Sequence, residues 1–209
     1  MPRITPFRKY PEQYENWFIQ NMYAYVSELN AIRSFIPEQG IGFDIGVGTG
    51  RFAEPLGIKI GIEPCREVGR IAYSKGIIVV EAVAENLPFH NQVFDFVLMV
   101  TTVCFLDDIK TAFKETHRVL KNGGNFIIGF VDRKSLLGKK YELYKNESRF
   151  YSEATFFTVK EITAVLKESG FNNFRYVQTI FQDLDNITAV EPVKDGFSEG
   201  SFVVISASY

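Results

Sequence analysis

Cysteine and histidine are scarce in this chain of 209 residues: two of each, with no CxxC and no paired histidines. That excludes an evident disulfide framework or zinc site, so no metal is expected, and it suits a reducing, cytoplasmic setting. Net charge is equally slight at −2, too little to draw in a polyanion, so nucleic acid is not an expected partner. Long apolar runs are missing too. The longest, Phe94 to Val100, contains Asp95 and is far too short to cross a bilayer. The opening MPRITPFRKYPEQYENW lacks the apolar stretch of a signal peptide, and no membrane association is expected. There is no internal repeat and no low-complexity segment. At 46% hydrophobic and 23% charged, the chain is expected to form one globular domain, residues 1–209.

Aromatic residues are plentiful, with twenty Phe and ten Tyr. Most must be core, but rings also suit a pocket for flat or cationic ligands. Short apolar runs alternate with helical patterns, which argues for βαβ units on a mainly parallel sheet. Strands are expected at Ile41–Ile45, Ile58–Ile62, Ile77–Val80, Phe94–Val100, Asn125–Val131, Arg175–Phe181 and Ser201–Ala207. Helices are expected at Arg66–Lys75, Ile109–Leu120 and Val159–Ser169, each followed by glycine. The stretch Gln182–Gly200 has no helical period, so the last two strands should be antiparallel neighbours.

Residues 1–38 read as an N-terminal helical cap on a core of 39–209, with one helix at about Glu12–Ser34. At a period of 3.6, Ile19, Met22, Val26 and Leu29 form an aliphatic stripe that should pack on the domain. Tyr14, Phe18, Asn21, Tyr25 and Glu28 form a neighbouring stripe with Trp17 beside it. That mixture fits either an amphipathic flank or a lid reaching into a site. A second acceptor-side element is expected at 132–157, where basic and aromatic residues mix, Tyr141 and Phe150-Tyr151 among them.

The strongest local signal is Asp44-Ile45-Gly46-Val47-Gly48-Thr49-Gly50, after a strand and before an expected helical start. Its glycines permit a sharp turn and let a ligand approach main-chain N–H groups with no Cβ in the way. A dinucleotide site would show GxGxxG, but the third glycine's position is Arg51, and no P-loop Lys follows. The preceding Asp44 would repel a diphosphate and attract an ammonium group. Glu63, closing the second strand before Pro64, can accept both hydroxyls of a ribose diol.

DIGVGTG, IEP, AENLPFHNQVFDFVLMV and FKETHRVLKNGGNFIIGFVD together resemble the class I S-adenosylmethionine-dependent methyltransferases, in their ubiquinone-biosynthesis-like (type 11) branch. The resemblance spans Asp44 to Val131. It implies an α/β, Rossmann-like sheet of seven strands, mostly parallel with an antiparallel C-terminal hairpin, helices on both faces and an N-terminal lid. It implies S-adenosylmethionine as cofactor, its methionine moiety at Asp44, Gly46, Gly48 and Gly50, its ribose at Glu63-Pro64, and its adenine along Ala84 and Glu85. Thr101, ending the fourth strand, would face the sulfonium and acceptor. Many relatives carry Asp before the Ala-Glu pair; here Val83 stands there, so adenine must be held by backbone, by Glu85 or through water.

The expected activity is methyl transfer to N, O or S of a small molecule. RNA or protein acceptors, or a non-catalytic cofactor-binding regulator, are the alternatives, and a nicotinamide enzyme is disfavoured by the glycine spacing. No distinctive base is present. Tyr14, Tyr25 and Thr101 are the catalytic candidates, and Tyr14, Trp17, Phe18, Asn21, Tyr25 and Tyr141 the acceptor-side candidates. His117, on a helix, and both cysteines read as packing residues. Nothing in the sequence speaks to oligomeric state.

Overall fold

The computed structural model describes residues 3–209. Five strands form the parallel part of the sheet: β1 (Gly42–Ile45), β2 (Ile60–Ile62), β3 (Ile78–Val80), β4 (Phe94–Val100) and β5 (Leu120–Val131). They are followed by β6 (Asn172–Thr179), β7 (Lys194–Asp195) and β8 (Phe202–Ser208), giving the spatial order β3-β2-β1-β4-β5-β8-β6-β7. β8 is inserted antiparallel between β5 and β6. Among the described residues the sheet has eight strands where seven were expected. The addition, β7, is a two-residue pairing on the edge of β6, too short to leave a periodic pattern.

Alternation across the strands sorts the core into two layers. Phe96, Leu98 and Val100 of β4 meet one layer together with Leu29 and Ile32 of α3 (Met22–Arg33) and Ala72 of α4 (Arg66–Ser74). Val97 and Met99 face the other, filled by Phe113 of α5 (Ile109–Val119) and by Ile162 and Leu166 of α7 (Val159–Glu168). Both faces are therefore covered, and strands such as β4 read as near-continuous apolar runs for that reason.

Several expected elements differ. The single helix at Glu12–Ser34 is two, α2 (Pro11–Gln20) and α3, preceded by a short α1 (Thr5–Lys9). Asn21 leaves helical geometry (φ −110°, ψ 41°), and both its backbone N–H and its Nδ2 donate to Trp17 O. The break resets the helical phase, so the aliphatic stripe does not persist: Ile19 is 66% and Met22 52% exposed, while Leu29 is buried. No regular helix follows the glycine loop. Residues 51–57 are a chain of turns containing Pro55, which has no N–H, and Gly57 at φ +73°. β5 starts at Leu120, with Lys121–Gly124 bulging out before pairing with β4 resumes at Asn125. β6 stops at Thr179, short of the expected Phe181, because Ile180 adopts φ +63°. The 132–157 stretch carries α6 (Leu136–Leu143), whose N-cap Ser135 accepts from Gly138 N at 3.0 Å.

Candidate active site

A cavity of about 270 Å³ lies at the carboxyl ends of β1, β2 and β4, the place where open α/β sheets bind ligands. Its floor is the glycine loop, sewn to β2 by Gly46 N and Val47 N donating to Ile62 O at 2.9 and 3.0 Å. Gly46 sits at φ +71°, and a Cβ there would lie 2.4 Å from Thr102 Oγ1, so no other residue fits. Gly48 donates to Glu63 Oε2 at 2.9 Å, and Cys65 N donates to Oε1 at 2.8 Å. These bonds favour the charged form of Glu63, but burial outweighs them and pushes its carboxyl up to about 7. Asp44 is buried beneath the loop. Burial, then the charge of Glu63, raises it well above the usual carboxylate range, and its Oδ1 has no hydrogen-bond partner. Two desolvated carboxylates thus stand side by side with no cation paired to them among the described residues, an arrangement that favours a bound positive group.

The roof is aromatic. Phe7 of α1 makes edge contacts with Tyr14 (5.4 Å between centroids) and Phe105 (5.1 Å) and a tilted one with Phe150 (5.6 Å). Tyr141 of α6 stacks on Tyr151 at 5.1 Å. The N-terminal segment is tied over the cavity from two sides. Arg3 donates to Glu153 O at 2.6 Å and Thr155 Oγ1 at 3.0 Å, and Arg149 donates to Gln13 while lying 4.3 Å over the Tyr10 ring. Glu15 of α2 receives Thr49 Oγ1 and, at 2.5 Å, Arg51. Tyr25 Oη donates to Arg51 O at 2.5 Å. Arg51, which the sequence identified only as the missing third glycine, is the clasp between lid helix and loop.

Among residues singled out from sequence, Gly46, Gly48, Glu63, Pro64, Ala84, Glu85 and Thr101 line the cavity, as do Tyr14, Trp17, Phe18 and Tyr141. Asp44 lies below the lining. Gly50 does not reach the cavity, because its missing Cβ makes room for Ile77 and Ala72, so it serves helix-on-sheet packing. Asn21 and Tyr25 are also outside: one caps α2, the other clasps Arg51. Glu85 Oε1 accepts from Asp107 N (2.9 Å) and Asp108 N (3.2 Å), bracing the turn before α5. Thr101 holds φ +52°, an uncommon conformation for a β-branched residue and a mark of imposed strain where β4 meets the cavity. Phe150 and Tyr151, expected on the acceptor side, line the cavity too, whereas Phe7 and Phe105 were missed as wall residues; they stand in short or irregular segments where no periodicity points to a face. His117 packs on Phe171 and Tyr209, and Cys104 is buried with its thiol pushed up to about 12. No group of metal-binding side chains occurs among the described residues.

Residues 43–128 match the family model described as a methyltransferase domain. An uncharacterised protein of Methanocaldococcus jannaschii is 48% identical across 98% of both chains. A solved structure from Thermotoga maritima, described as a SAM-dependent methyltransferase and possible histamine N-methyltransferase, is 47% identical. It superposes with a TM-score of 0.96 over 98% of this chain and 99% of its own. This chain belongs to the S-adenosylmethionine-dependent methyltransferases. The demethylmenaquinone methyltransferase of Chlorobaculum tepidum is similar at lower identity, 29% over 66% of this chain and 68% of its own. As a methyltransferase the chain is an enzyme with S-adenosylmethionine as its cofactor, and its sheet is mostly parallel with antiparallel C-terminal strands, as the resemblance implied, apart from the added edge strand. No helix among the described residues is long and apolar enough to cross a membrane.

Proposed function

We propose that this methyltransferase transfers the methyl group to a small-molecule acceptor seated under the aromatic roof, next to a cofactor held on the glycine loop. The observation that carries this reading is the closure of the cavity: side chains from α1, α2, α6 and the 149–155 segment meet over it through ring contacts and the Arg3 and Arg149 bonds. A single small molecule suits such a chamber better than a polymer strand. The relatives named after histamine and demethylmenaquinone point the same way.

The residues present fit the cofactor. Asp44 Oδ1, buried and unpartnered, would accept from the ammonium of its methionine moiety. Glu63, each oxygen already holding one N–H, retains lone pairs for the ribose hydroxyls. Gly46 and Gly48 leave space for close approach, and Ala84 and Glu85 would border the adenine. S-adenosylmethionine, when bound, supplies a methyl group already activated on sulfur. The chain must then align the acceptor at the Thr101 end of β4, exclude water and leave the attacking atom a free lone pair. The aromatic roof excludes water, and the clasp of Arg51 and Glu15 holds Tyr14 over Gly48, with Tyr14 Oη 3.5 Å from where a Gly48 Cβ would stand. Calorimetric titration with S-adenosylmethionine and S-adenosylhomocysteine tests the cofactor half, with micromolar binding expected. A screen for S-adenosylhomocysteine formation over small amines, phenols and thiols tests the acceptor half. Turnover only with RNA or protein would overturn it.

A further inference from the structure

Glu28, on α3, is 6% exposed and lines the cavity, yet it has neither hydrogen bond nor ion pair among the described residues. An unpaired buried carboxylate is costly, and nothing in the packing of the chain requires one here. It stands among rings. Tyr14 of α2, Tyr141 of α6 and Tyr151 all feel its charge, and Tyr14 also feels Asp44 and Glu63, so Tyr14 bridges the cofactor floor and the Glu28 end. Glu28, Glu63 and Glu85 give the lining an acidic side, and the guanidinium of Arg3 is turned to Glu153 O and Thr155 at the rim. An anionic acceptor would be repelled. A cation held between a carboxylate and π-faces would be favoured by both.

We propose that the acceptor is a small amine, bound as its ammonium form by Glu28 against Tyr141 and Tyr151, and that Glu28 takes the proton that must leave before nitrogen can attack. This rests on the small-molecule reading above and narrows it to one acceptor class. The step balances. A proton passes from R–NH3⁺ to a Glu28 carboxylate oxygen, and the freed nitrogen lone pair forms the N–C bond to the methyl carbon. The C–S bond breaks with its electrons left on sulfur, giving a methylammonium product and a neutral thioether. Burial alone pushes Glu28 up to about 8, so without a ligand it is largely protonated at neutral pH; a bound ammonium favours its charged form, which is then basic enough to take the proton. Around it the titratable groups are Tyr14, Tyr141 and Tyr151, all held above the usual phenol range, with Asp44 and Glu63 beyond Tyr14, so no neighbouring cation among the described residues competes for its charge.

The test uses the full chain with S-adenosylmethionine and four matched acceptors on one skeleton: phenethylamine, 2-phenylethanol, 2-phenylethanethiol and phenylacetate, with n-alkylamines of two to eight carbons as a second series. S-adenosylhomocysteine formation is expected with amines, at least about 100-fold above the alcohol in kcat/KM. Glu28→Gln should lower the amine kcat/KM by about 100-fold while the cofactor Kd stays within about threefold. In the wild type, amine turnover should rise with pH through the Glu28 ionisation, and the rise should be absent in the variant. Faster methylation of the alcohol or thiol, or no amine turnover in either series despite cofactor binding, would overturn the amine assignment and leave the cofactor site standing. A pH profile shared by wild type and variant would remove the proton-accepting role. Should Glu28→Gln not fold, the matched acceptor series on the wild type still decides the acceptor class. Failure to bind S-adenosylmethionine at all would strike the earlier reading instead.

Discussion

Between β1 and β2 the cavity is bounded by backbone: left-handed glycines, their N–H groups and two carboxylates buried beneath. Across from them the same cavity is bounded by side chains drawn from α1, α2, α3, α6 and the 149–155 segment, held to one another by exposed arginines and ring edges. The floor is fixed by conformation, because Gly46 and Gly48 occupy backbone states that few other residues adopt. The roof is fixed by packing, and its ties are bonds at or near the surface that water can replace. A rigid floor suits a ligand with fixed charge positions; a roof of separable pieces suits a space that must open to admit and release molecules. Substitutions should therefore cost stability and cofactor binding below, and acceptor handling above.

The largest effect is expected at Gly46. Gly46→Ala brings a Cβ within 2.4 Å of Thr102 Oγ1 at a backbone φ of +71°, combining overpacking with strain, at about 2–4 kcal/mol of folding stability. Gly48→Ala, at φ +54° but with its nearest atom 3.5 Å away, should cost only about 1 kcal/mol. Urea unfolding of the pair is the check. Equal losses would mean that φ alone, without the Thr102 contact, governs the floor.

Next comes Asp44→Asn, which keeps the shape and removes the charge. Cofactor affinity should fall about 100-fold, on the scale of a charge-assisted hydrogen bond, while the unliganded protein keeps or gains stability because a desolvated carboxylate has gone. Titration calorimetry and thermal melts measure the two halves. A variant that binds S-adenosylmethionine normally would break the assignment of the floor.

A smaller effect is the pH dependence shared by the two regions. Glu63 and Glu28 are raised from 4.5 to about 7 and about 8, so the folded unliganded state holds protons that the unfolded chain has released. Stability from these groups is present in full below pH 4.5 and is lost as pH rises through 7 and 8. A bound cation favours the charged carboxylates, so cofactor affinity should rise over the Glu63 interval with release of protons. Calorimetry in buffers of differing ionisation enthalpy would count those protons. Affinity that falls with pH would reverse the sign argued for the floor.

Much of the floor was legible because it is contiguous. Asp44 through Gly50 and Glu63-Pro64 carry their chemistry in spacing, and the Phe94–Val100 run gave β4 to the residue. Less legible were functions split between neighbours of the same type. Gly50 looks like its companions in sequence, yet only its contact with Ile77 and Ala72 shows that it packs a helix. The roof was legible in part, where helical period put Tyr14, Phe18 and Glu28 on one stripe. Asn21 carried no warning, since an amide can sit inside a helix or end one, and its bond to Trp17 O decides which. Phe7 and Phe150 are brought together by tertiary contacts more than 140 residues apart in sequence, which no local pattern records.

The smallest effect tests whether floor and roof are separable at all. Arg149 lies over Tyr10 and donates to Gln13, linking the 149–155 segment to the N-terminal helices. Arg149→Ala should cost less than about 1 kcal/mol of stability, as expected for an exposed cation–π contact and one hydrogen bond. If the roof governs acceptor handling alone, acceptor KM should rise about three- to tenfold, about 0.65 to 1.4 kcal/mol, with cofactor Kd unchanged. The two regions need not be independent, because Arg51 and Glu15 join α2 to the loop at 2.5 Å. A loosened α2 could carry its effect down that clasp. Equal weakening of cofactor and acceptor would show that it does, and the cavity would then have to be treated as a single cooperative unit.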